Sequence, residues 1–150
     1  MKKVYIILSL LIVFLFFCQA KSYQKTNLGI KTQINSTNVE IQFYTPSTVR
    51  IIKSPVDRNF TKESLTVIKK PQTAKFAANE QGDIISLKSD KMRVDIDTKS
   101  GKISYFTLDG KELLSEKESG ATFTDFDDAG TKTYTVNQSF TLDKDEAIYG

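Results

Sequence analysis

The side chains of this 150-residue chain that could do chemistry are carboxylates. The sequence has no histidine or tryptophan, and its single cysteine is Cys18. Ser-His-Asp and Cys-His catalysis are therefore excluded in the body of the chain, as is a zinc site built from His and Cys. The seven glycines are scattered and form no phosphate-cradling loop. Paired acids could serve glycoside hydrolysis, one as proton donor and the other as nucleophile or base. The candidates are Asp95 with Asp97, and Glu116 with Glu118. Alternation puts Asp95 and Asp97 on the polar face of a strand whose other face is Met92, Val94 and Ile96, so they read as a solvated face beside Lys99 and Lys102. Glu116 and Glu118 flank Lys117 and read as an exposed polar loop. Asp125, Asp127, Asp128 and Gly130 resemble part of a calcium loop, but Ala129 fails at its fifth position and Val136 at its twelfth. They read as a solvated acidic loop. No catalytic, cofactor-binding or metal-binding residue is assigned, and no cofactor is implied.

Aromatic rings could stack on sugars. Tyr105 and Phe106 point to opposite faces of one strand, although core packing is the default reading for both. Asn35-Ser-Thr, Asn59-Phe-Thr and Asn137-Gln-Ser fit the N-glycosylation pattern and are read as chance.

The elements that must position these groups are strands. Residues 21–37 look like a flexible, mixed-polarity lead-in, and residues 38–150 like a β-sandwich domain. Val39, Ile41 and Phe43 alternate with Glu40, Gln42 and Tyr44; Pro46 and Ser47 turn the chain into Val49–Lys53. Ser64–Ile68, Asp83–Leu87, Met92–Asp97, Lys102–Leu108, Lys111–Leu114 and Tyr134–Phe140 continue the pattern, with Lys75–Asn79 undecided. Thr98–Gly101 is a turn, and Asp109-Gly110 is a two-residue hairpin signal. Glu116–Gly130 reads as polar loop, with Phe123 and Phe126 as anchors. No stretch has sustained helical periodicity. The fold class is all-β, an antiparallel sandwich. Asp143–Asp145 reads as a turn and Glu146–Tyr149 as the start of a fresh strand, so the sandwich is expected to be incomplete at its C-terminus and to belong to a longer protein.

The first twenty residues are a separate unit. Lys2 and Lys3 precede the apolar run Val4–Phe17, and Cys18-Gln19-Ala20 suits cleavage after Ala20. The run is short for a bilayer span of ~20 residues. The expectation is export to a periplasmic, extracellular or outer-membrane-associated location. Lipidation at Cys18 is the alternative processing route and would give a membrane attachment, and an uncleaved anchor is the further alternative. Removing this leader takes away Lys2 and Lys3 and no acid, so 21 basic side chains fall to 19 against 18 acidic ones. No basic stripe remains to suggest a nucleic-acid partner.

Three segments resemble glycoside hydrolase family 31, whose members include α-glucosidases and α-xylosidases. Met92–Leu114 is similar to the family's N-terminal galactose-mutarotase-like sandwich. Phe140…Asp145-Glu146-Ala-Ile-Tyr149-Gly150 resembles the block that closes its leading strands. Val49–Pro55, followed by Phe60–Val67, is similar to the leading part of secreted Bacteroidetes members. The resemblance implies a retaining α-glycosidase in which an aspartate attacks the anomeric carbon and a second carboxylic acid protonates the leaving oxygen. In the family both acids lie on a downstream (β/α)₈ barrel, and a tryptophan sits two residues before the nucleophile. This chain has no tryptophan, so that motif is absent. The partner implied is a carbohydrate, an α-glucan or xyloglucan oligosaccharide, bound through the catalytic domain. The competing reading is a stand-alone carbohydrate-binding or surface-interaction sandwich.

Overall fold

The computed structural model describes residues 21–58, 67–72 and 74–142. Among them ten strands form two antiparallel sheets. The first sheet has the order β1-β2-β3-β4, from β1 (Tyr23–Lys25), β2 (Gly29–Ile34), β3 (Thr37–Thr45) and β4 (Thr48–Pro55). The second has the order β10-β9-β8-β7-β6-β5. Its members are β5 (Phe76–Gln81), β6 (Ile84–Ser89), β7 (Arg93–Asp97), β8 (Ile103–Phe106), β9 (Glu112–Asp128) and β10 (Thr131–Thr141).

Period-two alternation explains why these sheets stack. Ile30, Val39, Ile41 and Phe43 turn inward from the first sheet, and Ile85, Leu87, Val94, Ile96 and Ile103 from the second; all are essentially inaccessible. Each such side chain contributes roughly 1.5–3 kcal/mol by leaving water. Phe43 stacks on Phe76 across the gap, with ring centroids 5.8 Å apart. Polar bonds also tie the layers at their margins. Tyr23 Oη donates to Ala78 O (3.0 Å), Asn35 Nδ2 to Lys99 O (3.2 Å), and the Ser89 hydroxyl to Pro46 O.

Three expectations need correction. Residues 21–37 are not a loose lead-in. β1 and β2 lie there, Tyr23, Ile30 and Ile34 are in the core, and Thr32 occupies an inward position with its hydroxyl donating to Ser22 O at 2.9 Å. Glu116–Gly130 is not a loop: β9 runs through to Asp128 and pairs with β10 in one long hairpin. The Asp109-Gly110 turn is longer than two residues. Thr107 and Lys111 pair across a three-residue loop, Leu108-Asp109-Gly110, with Gly110 at φ 93°. A type I turn followed by a left-handed residue makes this kind of loop. The undecided stretch Lys75–Asn79 is largely strand, within β5. The expected strand Ser64–Ile68 and the segment 143–150 lie wholly or mainly outside the described residues, as does the leader.

Candidate functional site

The expected carboxylate pairs do not converge. Asp95 forms an ion pair with Arg93 on the outer face of β7, Oδ2 to Nε 3.1 Å. Asp97 faces the turn instead: its Oδ1 accepts the Lys99 N–H (2.8 Å) and the Ser100 N–H (2.9 Å). These bonds, the one from Ser100 foremost, hold its carboxyl below the usual range. Glu118 is exposed, whereas Glu116 is completely buried, so the two cannot flank one substrate bond. Asp127 Oδ1 accepts the Gly130 N–H at 2.7 Å and serves the β9–β10 turn. No group of three or more His, Cys, Asp or Glu side chains suited to a metal occurs among the described residues.

The aromatic candidates are committed as well. Arg93 lies over the Phe106 ring, its guanidinium carbon 4.3 Å from the centroid. Tyr105 packs against the core, and burial, seconded by the charge of Glu116, pushes its phenol upward. Both residues are half-buried.

Sequence reasoning missed the most constrained polar group. Lys53 falls in inward register with Val49 and Ile51, since each pairs with an inward residue of β3: Val39↔Lys53, Ile41↔Ile51 and Phe43↔Val49. Its ammonium therefore enters the gap between the sheets. It donates to Glu116 Oε2 (2.6 Å), Ser119 O (2.8 Å) and Gly101 O (3.0 Å), which uses all three of its protons. Glu116 Oε2 also accepts the Ile103 N–H at 2.9 Å. The β8–β9 ladder stops at Ser104↔Ser115, so this carboxylate extends it by one bond. Glu116 Oε1 has no hydrogen-bond partner among the described residues.

A bulge makes room for this cluster. β10 pairs with β9 at Phe140↔Glu116 and again at Gln138↔Ala121, so Lys117–Gly120 oppose Ser139 alone. Glu118 (φ 52°) and Gly120 (φ 74°) supply the left-handed backbone that the detour needs. Gly120 lies against the Glu116 carboxylate, and a Cβ there would collide with it. Beyond the bulge, residues 121–128 pair, among the described residues, only with β10 and form a two-stranded arm. Its tip is the tight turn Ala129-Gly130, with φ of 48° and 87°.

The buried Lys53 and Glu116 thus join the two sheets, and the candidate acids are dispersed over separate strands and turns. The chain belongs to the family of the glycosyl hydrolase 31 N-terminal galactose mutarotase-like domain, whose model matches residues 38–150. Among solved structures it is similar to the GH31 α-xylosidase from Xanthomonas citri, with 28% identity and a TM-score of 0.73. That match covers 81% of this chain and 14% of the α-xylosidase, so the chain spans about a seventh of that relative's length.

Proposed function

We propose that this chain is the non-catalytic N-terminal sandwich of a retaining α-glycosidase and acts by supporting a catalytic domain. The observation that carries this reading is the match of residues 38–150 to the N-terminal galactose mutarotase-like domain of glycosyl hydrolase 31. The likeness to an α-xylosidase favours α-xylosides over α-glucosides as the sugar class, with xyloglucan oligosaccharides as natural substrates. Lys2, Lys3 and the apolar run Val4–Phe17 support export, with cleavage after Ala20 or lipidation at Cys18.

The test is an assay of the purified chain on aryl α-xylosides and aryl α-glucosides. The expected result is no hydrolysis above buffer. Turnover that tracks with the protein through purification overturns the reading. The mass of the N-terminal peptide after expression in an exporting host tests the leader: a start at Lys21 supports cleavage, and a lipid-modified Cys18 supports anchoring.

A further inference from the structure

We infer that Lys53 and Glu116 form a latch that sets the angle at which the β9–β10 arm leaves the sandwich. Three observations place the latch at a hinge. Among the described residues, the arm from Ala121 to Asp128 and its partner on β10 join the rest of the sheet through the bulge Lys117–Gly120 on one strand and Ser139 on the other. Lys53, anchored on the opposite sheet, bonds the near side of that hinge at Glu116 Oε2 and the hinge itself at Ser119 O. Between the arm and β4 lies an open cleft of about 240 Å³ lined by Arg50, Ile52, Phe123 and Val136 among others.

The remaining tie is weak by comparison. Tyr134 Oη donates to Asp57 Oδ2 at 3.3 Å, and Arg58 lies over the Tyr134 ring at 5.6 Å, both in exposed positions. A solvent-exposed hydrogen bond and a cation–π contact each contribute about 1 kcal/mol or less. At the base, by contrast, Lys53 is 7% and Glu116 0% exposed, where each polar bond is costly to leave unmade. The pair's hydrogen-bond partners are backbone atoms of Gly101, Ile103 and Ser119; Gly120 lies against the carboxylate, and the buried Tyr105 phenol is close enough to feel its charge. Two sheets, a bulge and an arm meet in that single cluster.

Spin labels report the arm angle directly. One pair joins Lys132→Cys at the arm tip to Lys88→Cys on β6; a control pair joins Lys31→Cys on β2 to Lys88→Cys across the two sheets. Both are made in the full chain with Cys18→Ser. Lys53→Met, Glu116→Gln and Gly120→Ala each cut or displace the latch. The expected result is that the tip-to-β6 distance distribution widens roughly twofold while the control pair stays narrow, as for local release of one element. An unchanged tip distribution in the variants overturns the inference. So does widening of the control pair in all three, since the cluster would then hold the whole sandwich rather than the arm.

Discussion

Lys53 on β4 and Glu116 on β9 meet 2.6 Å apart between the two sheets, with the carboxylate wholly out of solvent. Removing one partner strands the other. Lys53→Met is expected to lower stability by roughly 3–5 kcal/mol, as for other broken buried pairs. Lys53→Met combined with Glu116→Leu should recover a large part of that loss, because two apolar groups leave no orphaned charge. Denaturant titration of the single and double variants checks this. Equal midpoints for Lys53→Met and the parent chain would sink it.

Gly29 on β2 pairs with Gln42 on β3, and a Cβ there would run into the Ile41 carbonyl. The obstacle is main chain and cannot rotate away. Gly29→Ala should cost roughly 1–3 kcal/mol through overpacking. Thermal unfolding followed by circular dichroism gives the answer, and a melting point at or above the parent's would contradict the close approach.

Ala129 sits at φ 48° in the turn that closes the arm. A non-glycine residue held left-handed costs roughly 1–2 kcal/mol, and Asn visits this region far more readily than Ala. Ala129→Asn creates the favoured Asn-Gly pair of a type I′ hairpin. It should stabilise the chain by up to about 1 kcal/mol. A denaturation midpoint lower than the parent's would refute the assigned turn.

Acid should loosen the β7–β8 turn. The Asp97 carboxyl titrates below its ordinary value because the Ser100 and Lys99 N–H groups bond its charged form. A depressed native value means that the stabilisation is fully present above the unfolded value of about 3.9 and fades as pH falls through the native one. Asp97→Ala should therefore be less stable than the parent at neutral pH, and the two should draw together in strong acid. Denaturation curves at a series of pH values measure the gap. A gap that does not change with pH would rule the charge out as the cause.

Most of the sandwich could be read from alternation, because strands covered on one face advertise it. Val39, Ile41 and Phe43, or Val94 and Ile96, needed no further clue. β2 was hidden by Thr32, a polar residue in an inward position that satisfies its hydroxyl on the Ser22 carbonyl. β9 was hidden for the opposite reason. Its arm is solvated on both faces, so residues 122–128 show no buried side and look like loop. Glu116 was the hardest group to place, since a glutamate between Ser115 and Lys117 gives no local sign of burial. The clue lay sixty-three residues away, in a lysine that shares the inward stripe of Val49 and Ile51. Pairing Lys53 with Glu116 needs the tertiary contact of two sheets, which no local pattern contains.

The arm has a mechanical consequence. At about 3.3 Å per residue, the strand from Ala121 to Asp128 extends ~26 Å from the bulge. A tilt of about 10° at the base then sweeps the Ala129-Gly130 tip through ~4–5 Å, by the same strand rise. A side-chain adjustment of a few tenths of an ångström beneath Gly120 is thus multiplied along a lever. Whatever surface meets the far end receives an amplified copy of a displacement made deep inside the fold.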